Sequence, residues 1–450
     1  MGMTASKRIL VYENWMASEP SLMGCLFVDF LRGKETSSFE YDTKWLTNHT
    51  AHFALDPDLQ LFKGRQFTPA DKPLFGLFSD SSPDRWGRLL MKRREAILAK
   101  REGRKPRELS ETDYLLGVHD EARMGALRFA LQEEGPFLSC DTEMAAPPWA
   151  TLRELEAASL AFEKDEDIFD DRWLKMLLAP GSSLGGARPK ATIKAPDNSL
   201  WIAKFPSKQD EYDSGAWEMV IHELARECRL NVPEAKLERF SDTGSTFLVK
   251  RFDRHGNQRI HFSSALALLG KKDGSSSDSS YLEIVEFITA YGASPKTDLR
   301  ELWRRIVFSM AVSNTDDHLR NHGFLLTPKG WRLSPMFDVN PVPEGNMLSL
   351  NVTLDDSRID IDLAIEAASY FGIKKDEAEK EAKDIVSVVG RMWKPIAASY
   401  DIPRHAQEAM APAFSLRAYP VRSRRMEIEA FQTEEDATRF ATDLAMEALR

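Results

Sequence analysis

The segment Asn314-Thr315-Asp316-Asp317-His318-Leu319-Arg320-Asn321, with Ser334-Pro335-Met336-Phe337-Asp338 after it, constrains the fold more than any other part of this chain. The polar run interrupts two apolar segments, Leu302 to Val312 and Gly323 to Leu326. A further acid then follows the strand-like Trp331-Arg332-Leu333. Short stretches rich in Asp and Asn are ordinarily turns or helix caps. Here an acid, an amide a little over one helical turn later and a second acid about 20 residues on have the spacing of a phosphoryl-transfer catalytic loop. In that reading Asp316 accepts a hydroxyl proton, and Asn321 and Asp338 hold a divalent metal. His318 supplies a cation beside the transferring phosphoryl group. Asp317 caps or orients the loop, because Asp316 has the matching spacing to Asn321.

At 450 residues the chain exceeds one usual core, so two or three domains are expected. Apolar content of 42 % and charged content of 29 % suit a soluble globular protein. The net charge of −10 repels DNA and anionic membranes in bulk, so nucleic-acid binding needs a local basic patch or a partner. Cys25, Cys140 and Cys228 share no metal-ligand spacing and suggest no disulfide framework. No apolar run reaches the ~18 residues of a membrane span. A cytoplasmic protein without a membrane partner is expected.

Three textures follow one another along the chain. Residues 1-140 open with β-rich runs at Arg8 to Tyr12, Cys25 to Val28 and Ser38 to Tyr41, and then turn helical after Pro83. Residues 150-258 read as an α/β lobe. Its strands are Ala191 to Ala195, Leu200 to Phe205, Ala235 to Phe240 and Thr246 to Phe252, with a helix from Gly215 to Leu230. Residues 259-450 are mostly helical: Tyr281 to Tyr291, Leu299 to Ser313, Asp362 to Phe371, Lys375 to Ala398 and Glu434 to Leu449. Asp141 to Trp149 reads as a linker, the acidic run Glu163 to Asp170 as a loop, and Lys271 to Ser280 as a polar insertion.

Further candidates lie in the α/β lobe. In Leu200-Trp201-Ile202-Ala203-Lys204-Phe205, strand alternation puts Lys204 on the face of Leu200 and Ile202. A lysine ending an inward apolar row calls for an anion. Glu218, on the helix that follows, is placed to pair with it, the arrangement that orients ATP phosphates. The turn containing Ser182, Ser183, Gly185 and Gly186, followed by Lys190, is a phosphate-loop candidate, because glycines free backbone N–H groups to face phosphate oxygens. It is neither a Walker A nor a G-x-G-x-x-G sequence. Val249-Lys250-Arg251-Phe252-Asp253-Arg254 falls where the lobes should connect. Lys250 and Phe252 there are candidate contacts for the adenine end of the nucleotide, although a charged strand end reads equally well. The basic run from Lys92 to Arg107 reads as a solvated helix face.

Taken together, these stretches resemble the HipA family of serine/threonine protein-kinase toxins from type II toxin–antitoxin modules. The resemblance rests on Ser183 to Lys190, Ile202 to Pro206, Glu218 to Pro233, Lys250 to Arg254, Asn314 to Asn321 and Ser334 to Asp338, in that order. Ser82-Pro83-Asp84-Arg85 adds a weaker likeness to the family's N-terminal subdomain. The resemblance implies an α+β, bilobal protein-kinase-like fold with a small β-rich N-terminal subdomain and a mostly helical C-terminal lobe. It implies Asp316 as catalytic base, Asn321 and Asp338 as Mg2+ ligands and Lys204 as the ATP-phosphate lysine. Ser183 matches the serine that family members autophosphorylate, and Ser182 beside it stays open as the modified hydroxyl. The implied partners are a HipB-like helix-turn-helix antitoxin, operator DNA reached mainly through it, and a protein substrate. Characterised substrates of the family include aminoacyl-tRNA synthetases. Two other functions remain open on the residues: a small-molecule phosphotransferase, and a catalytically silent co-repressor.

Overall fold

A computed structural model describes residues 7–31, 34–48, 55–140, 145–164, 177, 186, 188–272, 274 and 279–416. The Glu434 to Leu449 helix expected from the sequence, Ser182, Ser183, Gly185 and most of the acidic run lie outside these residues. The described residues up to Ser415 belong to one compact unit.

The chain opens with an antiparallel sheet built on Lys7–Glu13, Ser21–Leu31 and Lys34–Tyr41. The sequence anticipates these three strands. Two more complete the sheet at its edges, Gln66–Phe67 and Leu127–Ala130. Ile9, Leu10 and Val11 are all buried, because their strand is interior to the sheet and covered on both faces. The helix Arg85–Arg101 follows, capped by Asp84, whose side chain accepts from the Gly87 N–H. The basic residues after it are exposed, and two of them pair with neighbouring acids. Arg104 pairs with Glu95 and Glu102, and Arg107 with Asp113.

The second sheet has the order Lys190–Lys194, Leu200–Lys204, Thr246–Lys250, Ala235–Glu238, all antiparallel. Period-two alternation gives it two different faces. Trp201, Ala203, Ile193 and Leu248 pack with Trp86 and Leu90 of the Arg85–Arg101 helix and with Leu152 and Leu155 of the helix Leu152–Glu163. Ile202 and Lys204 point the other way, toward the helix Ser214–Glu227. That helix lies close to the sheet because Gly215 has no side chain. A Cβ there would come within 2.1 Å of the Ser245 carbonyl oxygen.

Between the lobes, Arg251 and Asp253 of the charged strand end are buried and Arg254 is half-buried. Arg251 donates to the carbonyls of Ala122 (2.6 Å) and Arg123 (3.0 Å). Asp253 accepts the Gly125 N–H at 2.8 Å, and Arg254 donates to the carbonyls of Gly125 (2.9 Å) and Arg123 (2.7 Å). Asp253 also pairs with both arginines, so its charge offsets one of theirs and the carbonyl oxygens take up the remaining donors.

The helical lobe contains Tyr281–Tyr291, Pro295–Ala311, Ile361–Ala367, Lys375–Ser399 and Arg404–Met410. A three-stranded sheet of Phe262–Ser264, Gly323–Thr327 and Gly330–Leu333 sits against it. Trp303, Ile306, Val307 and Met310 make Pro295–Ala311 the buried central helix. His261 lies between aromatic rings, 4.6 Å from Trp15 and 5.8 Å from Trp331 by ring centroids. Burial pushes its imidazole down to about 3, so it is neutral at pH 7. No described helix is long and apolar enough to cross a membrane.

Candidate active site

Lys204 ends its strand with its ammonium between two acids. Its Nζ is 2.6 Å from Glu218 Oε1 and 2.6 Å from Asp338 Oδ1. Asp213 caps the Ser214–Glu227 helix by accepting from the Ala216 N–H, which sets Glu218 in the first turns facing the strand. Burial alone would lower the lysine, but Asp338 and Glu218 outweigh it and hold the ammonium charged. Burial would likewise raise Asp338. Lys204, with Lys190 and His318 farther off, keeps it below the usual carboxylate range instead. Asp338 has φ +56°, the left-handed region that a side chain rarely adopts.

The loop before it leaves the central helix through Ser313, also left-handed at φ +50°. Asp317 turns inward and is 4 % exposed. Tyr281 donates its hydroxyl to Asp317 Oδ2 at 2.6 Å, and His322 Nε2 lies 2.9 Å from Oδ1. Burial would raise this acid, but His322 and Tyr281 hold it low. It is the loop's anchor and is sequestered from any substrate. Asp316 turns outward, its side chain 81 % exposed, with His318 Nε2 4.0 Å from its Oδ1. Asn321 crosses back beneath them. Its Nδ2 donates to the Asp316 carbonyl at 2.8 Å, while its Oδ1 is buried without a hydrogen-bond partner. A buried amide oxygen without a donor is expensive and is the kind of ligand a hard cation takes.

A cleft of ≈ 530 Å³, open mouth included, adjoins the Lys204 cluster. Ile202, Ile221, Val232, Phe247 and Val249 form its apolar wall, and Lys204, Glu218 and Asp338 its polar end. Phe252 packs beside it on Phe262 and Phe337, with ring centroids at 6.0 and 5.7 Å. Lys250 does not reach the cleft. It is paired in register with Trp201, on the face opposite Lys204, and its ammonium meets Glu234 at 3.2 Å. Alternation along the strand is the reason. Gly186 has φ +91°. Lys190 is buried, with its ammonium 2.9 Å from Asp84 Oδ2. Sequence reasoning missed Asp84, because an acid before a helix reads as a cap, and it is indeed one. Of the other expected residues, Lys204, Glu218 and Asp338 are in direct contact, and Asp316, His318 and Asn321 share one loop.

A kinase-like α+β architecture of two lobes with a β-rich N-terminal subdomain is thus the class of protein that fold and site define. Residues 182–393 match the HipA-like C-terminal domain family. Across 90 % of this chain and 95 % of the other, the fold matches HipA of Shewanella oneidensis MR-1 with a TM-score of 0.60 and 15 % identity; that structure is a complex with HipB and operator DNA. A putative kinase of Haemophilus influenzae is 28 % identical over 188 residues, 36 % of this chain. The chain spans about half the length of that curated relative, 54 %. The chain is thus similar to the HipA-like C-terminal domain over residues 182–393 and to HipA in overall fold.

Proposed function

We propose that the chain is an ATP- and Mg2+-dependent serine/threonine protein kinase. One observation carries the reading. Lys204 bridges Glu218 and Asp338, the acid that follows the catalytic loop, and that loop presents an outward Asp316 and an unpaired Asn321 oxygen. Among the described residues no three His, Cys, Asp or Glu side chains form a metal cage. Mg2+ beside a nucleotide needs none, because phosphate oxygens and water complete its shell. Asn321 and Asp338 would hold it, and its chemistry there is to neutralise phosphate charge. Lys204, kept charged by its two acids, grips the phosphates. Asp316 orients the acceptor hydroxyl and takes its proton, and His318 adds a cation beside it when protonated. Catalysis is then positioning and charge stabilisation, with no covalent enzyme intermediate.

In the same reading the acceptor is a protein serine or threonine. Ser183, or Ser182 beside it, is the autophosphorylated residue. A HipB-like helix-turn-helix protein is the partner that brings the acidic chain to operator DNA. The test is incubation of the purified protein with labelled ATP, Mg2+ and a cell lysate, read by mass spectrometry. Asp316→Ala should lose transfer by roughly 10²-fold or more while still binding ATP. Transfer at the wild-type rate in that variant would reject the assignment.

A further inference from the structure

We propose that Asp84, contributed by the N-terminal subdomain, is a positioning residue of the phosphate site: it holds the Lys190 ammonium beside Gly186, as Glu218 holds Lys204. The proposal rests on the kinase reading above and deepens it.

Lys190 and Lys204 are direct partners in adjacent antiparallel strands. Directly opposed residues project to the same face with Cβ atoms about 5 Å apart. Two buried ammonium groups so placed repel each other unless each has its own anion. Lys204 has Glu218 and Asp338, and Lys190 has Asp84 at 2.9 Å, with side chains 2 % and 4 % exposed. The Lys190 ammonium also lies 3.3 Å from the Gly186 carbonyl oxygen. A Cβ on Gly186 would be 3.5 Å from that ammonium, so Gly186 itself lies directly against it.

Asp84 is itself immobilised. Its other carboxylate oxygen accepts from the Gly87 N–H at 2.8 Å as the cap of the Arg85–Arg101 helix. Two residues on, Trp86 Nε1 donates to the Lys190 carbonyl at 3.1 Å. One helix end therefore holds both the backbone and the ammonium of Lys190. Attachment alone does not call for a charge pair, because apolar residues of similar size would hold the helix to the sheet at least as well. The charge lies next to the site, since Lys190 is the direct cross-strand partner of Lys204, whose ammonium contacts Asp338. A polyphosphate gripped by Lys204 would meet this second ammonium one strand away.

The test uses the full chain, with calorimetric titration of Mg2+ and a non-hydrolysable ATP analogue, transfer kinetics and melting temperature. Asp84→Asn and Lys190→Met should each weaken analogue binding by roughly tenfold and raise KM more than they lower kcat. The double variant should be no worse than the weaker single one, because both act through one contact. Asp84→Glu should recover part of the loss. An Asp84→Asn protein that melts lower yet binds the analogue as wild type does would overturn the proposal, as would additive losses. Should Asp84→Asn fail to fold, Lys190→Gln carries the same comparison. Lys204→Met is the control. Undiminished analogue binding there sinks the kinase reading, whereas loss there with normal binding by Asp84→Asn sinks this inference alone.

Discussion

Replacing Lys204 by Met removes the ammonium that lies between two acids, each 2.6 Å from it. Lys204 and Glu218 side chains are each 8 % exposed, and Asp338 is 25 % exposed, so water replaces little of what is lost. Removing one partner of a buried pair costs about 3–5 kcal/mol, a large part of the ~5–15 kcal/mol that holds a domain folded. The penalty should depend on pH. With the ammonium gone, the facing carboxylates repel, and the folded state takes up a proton that the unfolded state does not bind until lower pH. Folding then binds protons, so the variant's deficit is largest near pH 8 and shrinks toward pH 5. Glu218→Gln in the same background removes one of the opposed charges and should return about 1–3 kcal/mol. Urea unfolding followed by tryptophan fluorescence measures all of this, since Trp217 neighbours Glu218 and packs on Trp393 and Phe414. A Lys204→Met protein within 1 kcal/mol of wild type, or a double variant less stable than the single, would refute the argument.

Three further outcomes follow from the same geometry. Gly215→Ala should cost about 2 kcal/mol or more and reduce nucleotide binding, since the new methyl meets the Ser245 backbone and displaces the helix that carries Glu218; melting curves with and without ATP check it. Between pH 6.5 and about 3 the unfolded chain protonates His261 and the folded chain does not, so stability falls on acidification by about 1.4 kcal/mol per unit through this residue. Asp56, raised by burial to about 6, acts with the opposite sign, so the His261 contribution is read as the difference in slope between wild type and His261→Phe. Asp317→Asn should lower both stability and transfer, because the loop loses the carboxylate that Tyr281 and His322 hold; a circular-dichroism melt and the labelled-ATP assay report the two effects separately.

Much of the site was legible because strands and helices repeat on fixed periods. Alternation alone placed Lys204 on the inward face, and the helical period set Glu218 toward it. The helix Tyr281–Tyr291 runs between the residues its apolar pattern marks, with Ser280 and Glu283 forming a capping box. The strands Gln66–Phe67 and Leu127–Ala130 were not legible. Two to four residues carry no period, and their partners lie far along the chain. The burial of Arg251 and Asp253 was not legible for another reason. Charged residues are nearly always exposed, and nothing local announces that the carbonyls of residues 121–125 wait to receive them. Lys250 shows the limit of motif reading, because adjacency to a functional segment does not decide which face a side chain takes.

The Arg251-Asp253-Arg254 clamp bears on how the two lobes can breathe. A freely swivelling connector would let them part around a nucleotide at little expense. Here, pivoting at this segment would pull guanidinium groups off carbonyls in a place where water cannot replace them. The joint is therefore stiff, and any give needed to admit a ligand to the cleft has to come from elements on its far side.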